Sequence, residues 1–155
     1  MSDVKHLTLC FIHDSDKILL AMKKRGFGEG WWNGYGGKLN PGESVEEAAI
    51  RELEEESGIK ASKIEKMGFL VFEGEEDADF HTHIFRVHEY SGEPVETEEM
   101  SPGWFAHNKI PFENMWPDDI HWMPLFLRGQ KFTGRFRIED RTIVDYELSE
   151  VDSLE

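Results

Sequence analysis

Glutamates crowd one short stretch of the chain, from residue 43 to residue 56, and their spacing is the first indication of chemistry. If this stretch forms a helix, with about 100° between successive residues, its apolar arc consists of Val45, Ala48, Ala49 and Leu53. Glu47 and Glu54 then lie opposite that arc and face water. Glu52 and Glu56 lie on the packing side, and Glu55 lies at its edge. A carboxylate on the packing side of a helix is costly unless a cation compensates its charge.

Two kinds of cation could compensate these carboxylates. Arg51 lies in the same stretch and would give a purely structural ion-pair network. A hard divalent cation such as Mg²⁺ would instead bind carboxylate oxygens and share its other ligand positions with water and phosphate. One arginine is too few for three or four glutamates in one patch, which favours the metal.

The ends of the predicted helix, residues 44–57, carry clear signals. Ser44 and Glu47 have the spacing of a capping box, in which each side chain accepts a hydrogen bond from the other residue's backbone. Gly58 stands where helices often end in a left-handed residue. The preceding segment, 26–42, is dense in glycine but carries aromatic side chains that are unusual in a flexible linker. We therefore predict an ordered loop whose backbone turns tightly or approaches a ligand.

Apolar runs and alternation predict the remaining elements. Predicted strands cover 7–12, 18–22, 67–72, 84–87, 104–105, 132–138 and 144–148. Turns are predicted at 14–16 and 139–141. A second helix is predicted over 118–127, where Pro124 implies a kink or an early end. Together these elements indicate an α/β (α+β) fold, a mixed β-sheet sandwiched between helices in an α/β/α arrangement.

Composition and charge limit the classes of function. The 155 residues suffice for one domain, which we expect to span 1–155. A formal net charge of -15 opposes binding to a nucleic-acid backbone, and no apolar run reaches the length of a membrane span. The single cysteine, Cys10, excludes an internal disulfide, and we expect a buried structural thiol. The first residues show no signal-peptide pattern, so we expect a cytoplasmic protein, and a monomer.

The spacing of the glutamates resembles a known motif. Gly37, Glu43 and the run Arg51-Glu52-Leu53-Glu54-Glu55-Glu56-Ser57-Gly58-Ile59 resemble the Nudix box at every defined position over 37–59. The resemblance implies a loop-helix-loop packed on a mixed sheet, with Mg²⁺, or Mn²⁺ in its place, as cofactor. It implies that Glu52, Glu55 and Glu56 bind the metal and that Arg51 orients a glutamate. A backbone carbonyl of Gly36 or Gly37 would be a further metal ligand.

Further segments resemble one branch of the Nudix family, the animal MutT homologues that hydrolyse oxidised purine nucleoside triphosphates. These segments are 22–28, 32–34, 98–100, 112 and 115–119. Glu99 resembles an additional metal ligand or catalytic base, and ordinary surface charge is the alternative. Contacts with the base and the phosphates are implied for Thr8, Lys23, Phe27, Asn33, Phe72, Trp116, Asp118, Asp119 and Trp122. For Lys23 a solvent-exposed side chain is the alternative to a phosphate contact.

The expected base-pocket residues also have plainer interpretations. Phe27 and Trp116 could sandwich a purine, or they could be ordinary core aromatics. Asn33 could bind a base edge with its donor and its acceptor, or it could be a turn residue. Asp118 and Asp119 could cap the second helix, whereas the family resemblance puts both at the Watson–Crick edge of the base.

Asp118 and Asp119 would be adjacent acids held out of water, and such a pair tends to share one proton. The pair then offers one hydrogen-bond donor and one acceptor. An oxidised guanine edge presents N–H donors beside a carbonyl acceptor, and it matches such a pair. Moving the proton would let the same site accept a hydroxylated adenine.

The resemblance as a whole predicts hydrolysis of oxidised purine (deoxy)nucleoside triphosphates, such as 8-oxo-dGTP and 2-hydroxy-dATP, to the monophosphate and pyrophosphate. The alternatives are a less selective purine nucleoside triphosphate pyrophosphatase and a non-catalytic Nudix module that binds nucleotides. The intact glutamate set argues against the second alternative.

Some residues depart from that branch or from any expected site. The acidic stretch 73–80, its last residue Phe80, and Trp31 beside Trp32 are unusual for the branch and lie near the expected mouth of the pocket. His81 and His83 alternate on a strand like a metal-binding pair. We predict a structural role for them because no third ligand follows at a suitable spacing.

Overall fold

The computed structural model describes residues 4–74 and 79–154. Within these ranges the strands are β1 (Val4–His13), β2 (Lys17–Lys23), β3 (Trp32–Asn33), β4 (Lys60–Glu73), β5 (Asp79–Ser91), β6 (Met100–Ala106), β7 (Phe132–Glu139) and β8 (Thr142–Glu150). The α-helices are α1 (Val45–Ser57) and α2 (Asp119–Leu127), and two short 3₁₀ helices cover His107–Lys109 and Phe112–Asn114. Each predicted strand and helix occurs, but β4 and β5 extend well beyond their apolar centres because their ends pair with each other. No helix in the described ranges is long and apolar enough to cross a membrane.

The strands form one mixed sheet that curls at β1. Five strands follow the order β1-β5-β4-β7-β8, with β1 parallel to β5 and β4 parallel to β7. β2 runs antiparallel to β1, β3 and β6. Residues 4–11 of β1 pair with β5, whereas Ile12 and His13 pair with β2. The last residues of β1 therefore connect the two parts of the sheet.

Strand β1 is buried on both faces, which explains its nearly continuous apolar run. Cys10 and Ile12 pack with Leu53 of α1 on one face. Phe11 packs with Trp122 of α2 on the other face. The two helices thus cover opposite faces of the sheet, and the predicted α/β/α sandwich is confirmed.

The glycine-rich segment packs along β1. Cys10 and Tyr35 form a β-bridge, and the backbone N–H of Thr8 donates to the Gly37 carbonyl at 2.9 Å. A Cβ atom on Gly36 would lie 1.7 Å from the Thr8 carbonyl oxygen, so only glycine permits this approach. The close approach predicted from the glycines is therefore an approach to β1.

Helix α1 begins and ends as predicted. The Ser44 hydroxyl accepts from the Glu47 backbone N–H at 3.1 Å, and the Glu47 carboxylate accepts from the Ser44 backbone N–H at 2.9 Å. Gly58 adopts the left-handed conformation with φ of 82°. The capping box fixes where the helix starts, and so fixes which face carries each glutamate.

Helix α2 runs to Leu127, close to its predicted bounds, so of the kink or early end expected from Pro124 the early end does not occur. The backbone N–H of Arg128 still donates to the Pro124 carbonyl at 3.4 Å, which lets the last turn close. Asp118 occupies the N-cap position but makes no capping hydrogen bond with its side chain. Its carboxylate has another partner, described below.

The β7–β8 hairpin turns through two residues with positive φ, Asp140 at 51° and Arg141 at 61°. Glu139 and Thr142 flank them as paired residues. Such two-residue turns match the twist of the strands but favour asparagine and glycine. An arginine at this position is therefore unusual.

Candidate active site

Arg51 on α1 is the centre of an ion-pair network. Its guanidinium donates to the two carboxylate oxygens of Glu43 at 2.7 and 3.0 Å, to Glu52 at 2.9 Å and to Glu55 at 3.1 Å. Glu43 above all, and then Glu52, raise the pKa of Arg51 further above its ordinary value. The arginine thus contacts three carboxylates, which leaves the patch with excess negative charge.

Glu56 is held apart from the Arg51 network. Its Oε1 accepts a hydrogen bond from the Gly36 backbone N–H at 2.9 Å. Burial raises the pKa of Glu56 to about 8; the Gly36 hydrogen bond opposes this, and the charge of Glu52 adds to it. A half-buried carboxyl group in this condition is suited to exchange a proton near neutral pH, and a nearby cation would stabilise its ionised form.

Glu99 approaches the same patch from the segment before β6. Arg25 donates to its Oε1 at 3.0 and 2.7 Å, and this hydrogen bonding lowers the pKa of Glu99. Lys23 on β2 is near enough to lower the pKa of both Glu99 and Glu56 by its charge. The fold therefore brings together the four glutamates and the lysine predicted from sequence.

In the described ranges, no three Asp, Glu, His or Cys side chains are arranged to hold a metal ion as they stand. The ion pairs account for this arrangement, because Arg51 draws Glu52 and Glu55 toward itself and Arg25 draws Glu99. A divalent cation at this patch would compete with both arginines for the same carboxylates.

The backbone beside these carboxylates fits a cation. A Cβ atom on Gly37 would lie 2.8 to 3.0 Å from the carboxylate of Glu52, so glycine keeps this space open. The Gly37 carbonyl already accepts from the Thr8 N–H at 2.9 Å. The Gly36 carbonyl is therefore the better candidate for a backbone ligand. Carboxylate and carbonyl oxygens together form the ligand type that hard divalent cations prefer.

A cavity of about 450 Å³ adjoins the carboxylate patch. Its walls are Leu7, Thr8, Leu9, Phe27, Asn33, Gly36, Gly37, Phe72, Glu73, Gly74, Phe80, Thr82, Trp116, Asp118, Asp119 and Ile138. Seven of the nine predicted base and phosphate contacts are among them, while Lys23 lies at the carboxylate end. Gly36 and Gly37 belong both to the cavity and to the carboxylate patch. A bound molecule could therefore reach from one to the other.

Asp118 and Asp119 line the cavity and are 4% and 2% exposed. Asp118 Oδ2 accepts from Trp122 Nε1 at 2.8 Å, and each of the two neighbouring carboxyl groups shifts the pKa of the other. Burial raises the pKa of both groups, and that of Asp119 rises further because of the charge of Asp118. Among the described residues, Asp119 Oδ2 has no hydrogen-bond partner. This oxygen is therefore available to a ligand.

Phe27 and Trp116 stack on each other, with ring centroids 5.4 Å apart and an interplanar angle of 29°. Inserting a base between two rings requires two contacts of about 3.5 Å, or about 7 Å in total. The structure therefore does not support the predicted sandwich, and a base would instead contact this stack from the cavity. Phe27 is 81% exposed and forms the outer edge of the stack.

The remaining predicted contacts fall into two groups. Thr8, Asn33 and Phe72 line the cavity, although Asn33 Oδ1 also accepts from the Gly34 N–H at 2.8 Å, as a turn residue would. Trp122 is fully buried and belongs to the core, so the substrate contact expected from it is not available. Its role is to hold Asp118.

The histidine pair of β5 has a third member that sequence spacing did not reveal. The parallel pairing of β1 and β5 puts His6 beside His81, and His6 Nδ1 lies 3.0 Å from His83 Nε2. Lys66 Nζ lies 2.7 Å from His83 Nδ1. Because the third histidine precedes the pair and depends on strand register, a search along the following sequence could not find it.

Phe80 lines the cavity, so the departure noted from sequence does bear on the pocket. Residues 75–78 of the acidic stretch lie outside the described residues. Arg141 lies with its Cζ 4.3 Å from the centroid of the Trp31 ring. Sequence inspection did not select Arg141, and only its position in a turn that disfavours arginine could have drawn attention to it.

Comparison with known proteins agrees with this geometry. The NUDIX domain family matches residues 7–126, which include α1, the carboxylate patch and Asp118–Asp119. A MutT protein from Bacillus halodurans has a similar structure, with a TM-score of 0.82, 27% identity, and coverage of 93% of this chain and 97% of that chain.

Two relatives are similar along nearly their whole length. The oxidized purine nucleoside triphosphate hydrolase of Danio rerio is 48% identical over 153 residues, covering 97% of each chain. The protein of the same description from Mus musculus is 46% identical over 155 residues, covering 99% of each. Since the box on α1, the fold and these relatives agree, the chain belongs to the Nudix hydrolase family.

Proposed function

We propose that this protein hydrolyses oxidised purine nucleoside triphosphates to the monophosphate and pyrophosphate. The observation that carries the proposal is the cavity that joins a buried acid pair at one end to a carboxylate patch at the other. A nucleotide has the matching polarity, with a flat hydrogen-bonding base at one end and a charged polyphosphate at the other. The similarity to hydrolases described as acting on oxidised purine triphosphates supports the same substrate class.

The acid pair supports recognition of an oxidised base. Its burial and the raised pKa of both groups favour a pair that holds one proton. The free Oδ2 of Asp119 then donates or accepts according to the position of the proton. Asn33, on another wall of the cavity, adds an amide group that can bind a second edge of the base.

The carboxylate patch supports phosphoryl chemistry with a divalent metal ion, the type of cofactor that Nudix hydrolases generally use. We propose Mg²⁺, held by Glu52, Glu55, Glu56 and Glu99 with the carbonyl of Gly36. The ion would polarise the phosphoryl oxygens and lower the pKa of the attacking water. Mn²⁺, with the same preference for oxygen ligands, is the alternative metal.

The chain's own residues supply the remaining steps. Glu56, with its raised pKa, is the candidate to accept the proton of the attacking water, with Glu99 as the alternative. Arg51 orients Glu52 and Glu55 through its hydrogen bonds. Lys23 contributes a positive charge near the phosphates and helps position them.

The test is kcat/KM with Mg²⁺ for a panel of dGTP, dATP, 8-oxo-dGTP, 2-hydroxy-dATP and a pyrimidine triphosphate. We expect higher kcat/KM for the oxidised purines, with monophosphate and pyrophosphate as products. Equal values for dGTP and 8-oxo-dGTP would contradict the preference while leaving the hydrolase intact. Absence of turnover on all triphosphates would contradict the proposed function itself.

A further inference from the structure

An arginine from the β7–β8 turn lies against the aromatic wall of the cavity. The Cζ atom of Arg141 is 4.3 Å from the ring centroid of Trp31 and 5.4 Å from that of Trp116. The two indole rings are themselves 5.4 Å apart, with an interplanar angle of 43°. Trp116 lines the cavity. Trp31 and Arg141 contact the ring of Trp116 from behind this wall and do not line the cavity themselves.

The backbone of Arg141 gives a second, independent indication of a role. Its φ of 61° falls in the left-handed region, where a side chain other than glycine, asparagine or aspartate is disfavoured. The turn would form more readily with asparagine and glycine. Turn geometry therefore does not explain the arginine, but its contact with two indole rings does.

We propose that Arg141 and Trp31 form a cation–π clamp that fixes the ring of Trp116 as a wall of the base site, so that both residues set how tightly the base is held. This proposal rests on the proposed function, with the base seated in the cavity that Trp116 lines. Phe27 stacks on the same ring at 5.4 Å, so Trp116 has three neighbours that limit its motion before a ligand arrives. A wall that is already ordered loses less conformational freedom on binding, which increases affinity.

The clamp acts at the base end of the cavity, and this location determines its kinetic signature. The base is held there both before and during the reaction, so loosening the clamp weakens binding of substrate and transition state alike. Arg141 is thus a positioning residue, and its loss should raise KM and leave kcat unchanged. A cation–π contact at a partly exposed site is worth about a two- to five-fold change in affinity.

Three variants separate the clamp from a general effect of charge. Arg141→Gln removes the cation, and Arg141→Lys keeps a cation that can rest on an indole face and should recover part of the affinity. Arg137→Gln is the control, because it removes the same positive charge from a residue of the adjacent strand β7. Its side chain is 61% exposed and is paired with Glu139 at 3.4 Å.

The readouts are KM and kcat for an oxidised purine triphosphate, the Kd of the corresponding monophosphate by calorimetry, and the NMR shifts of the indole N–H groups without ligand. We expect Arg141→Gln to raise KM and Kd about two- to five-fold and to shift the Trp31 and Trp116 signals. Arg137→Gln should change neither. Unchanged KM, Kd and indole signals in Arg141→Gln would overturn the clamp.

A double variant tests whether the two residues act together. Trp31→Ala should also raise Kd, and adding Arg141→Gln should produce little further change, because either substitution alone opens the clamp. Fully additive effects would overturn it. These results are distinct from failure of the proposed function, which would appear as a parent enzyme without preference for oxidised purines. The indole signals and the coupling of the two substitutions would still decide whether the clamp exists.

Discussion

The two acidic regions of the site, at opposite ends of one cavity, neutralise their charge in different ways. On α1, Glu52 and Glu55 keep access to solvent and pair with Arg51. At the start of α2, Asp118 and Asp119 are almost fully buried, and burial raises the pKa of both carboxyl groups. Solvent access explains the difference, because a buried carboxylate without a cation gains more by binding a proton than by staying ionised.

The two solutions suit different chemistry. Carboxylates paired with an arginine can be released to a metal ion and the phosphates it binds. Acids that share a proton present a donor and an acceptor, which matches the edge of a base. Replacing an acid by its amide should therefore have different consequences at the two ends. On α1 the substitution removes a charge, and on α2 it fixes a hydrogen-bonding pattern.

The largest effect is expected at the charged end. Glu56→Gln keeps the shape of the side chain and an oxygen that can accept from Gly36 N–H, but it removes the group that takes up a proton. We expect kcat to fall about 10²- to 10⁴-fold for every triphosphate, while the free energy of unfolding, measured with urea, stays the same or rises.

Glu54→Gln is the matched control for this substitution. Glu54 lies on the exposed side of the same helix, where its Oε2 forms a long ion pair of 3.8 Å with Lys60 Nζ. It should change neither kcat nor stability. If Glu56→Gln unfolds the protein, or if Glu54→Gln is equally inactive, the carboxylate patch is structural and the contrast between the two ends fails.

A smaller and selective effect is expected at the buried end. Asp119→Asn leaves the metal site intact but prevents the proton from moving between the two acids. We expect kcat/KM for the oxidised purine to fall about tenfold or more, as for loss of one buried hydrogen-bond match. Turnover of unmodified dATP should change less, and the dependence of the rate on metal concentration should not change.

The result that opposes this prediction is an equal loss with every triphosphate. Asp119 would then act on the position of α2 and not on the base. The structure already argues against a simple helix cap, because neither acid side chain caps α2 and Asp118 is bound by Trp122.

The charged end could be predicted from sequence in more detail than the buried end. The capping box sets the start of α1, and helical periodicity then fixes which glutamates face the sheet, so Glu52, Glu55 and Glu56 follow from local rules. The exposure of the Glu47 and Glu54 side chains follows from the same periodicity. Local rules suffice here because all these residues lie on one helix.

The buried end depends on contacts between distant segments, which local patterns do not encode. Trp122 carries an indole that could equally contact a ligand or the core, and only packing decides that it holds Asp118. Phe27 and Trp116 were both expected near the base, but their stacking on each other follows from the path of the glycine-rich loop. The register of β1 against β5 likewise determines the His6–His83 contact.

The third prediction uses pH to separate the two ends within one enzyme. Base recognition requires the proton of the Asp118–Asp119 pair. This proton is lost once the pH exceeds the raised pKa of the pair. KM for the oxidised purine should therefore increase on the alkaline side, by up to about tenfold per pH unit. The kcat should hold or increase, because a bound cation would make the attacking water easier to deprotonate as the pH rises.

Asp118→Asn refines this measurement. Its amide supplies a donor that does not titrate, so the KM profile should become flatter than that of the parent enzyme. A KM that stays constant from mildly acidic to alkaline pH in the parent would refute the shared proton. A parallel change of KM and kcat would mean that one titrating group serves both ends.

The smallest expected effect is on stability, and it compares parent and Asp119→Asn without any substrate. A raised pKa in the folded state means that folded Asp119 binds a proton more tightly than unfolded Asp119, whose pKa is about 4. Its favourable contribution is complete below about pH 4 and is lost as pH rises through the folded-state pKa. The buried histidines His13 and His83, with pKa values lowered to about 4, are present in both proteins, so their contribution to the slope cancels in the comparison. Above about pH 4 and up to the folded-state pKa of Asp119, the parent should therefore lose stability more steeply than Asp119→Asn as the pH rises, by at most about 1.4 kcal/mol per pH unit for one proton. Glu56 has the same direction of shift but is present in both proteins, so the difference between their urea-unfolding curves isolates the buried pair. Identical slopes would mean that Asp119 is ionised in the folded protein, and the contrast between a cation at one end and a proton at the other would not hold.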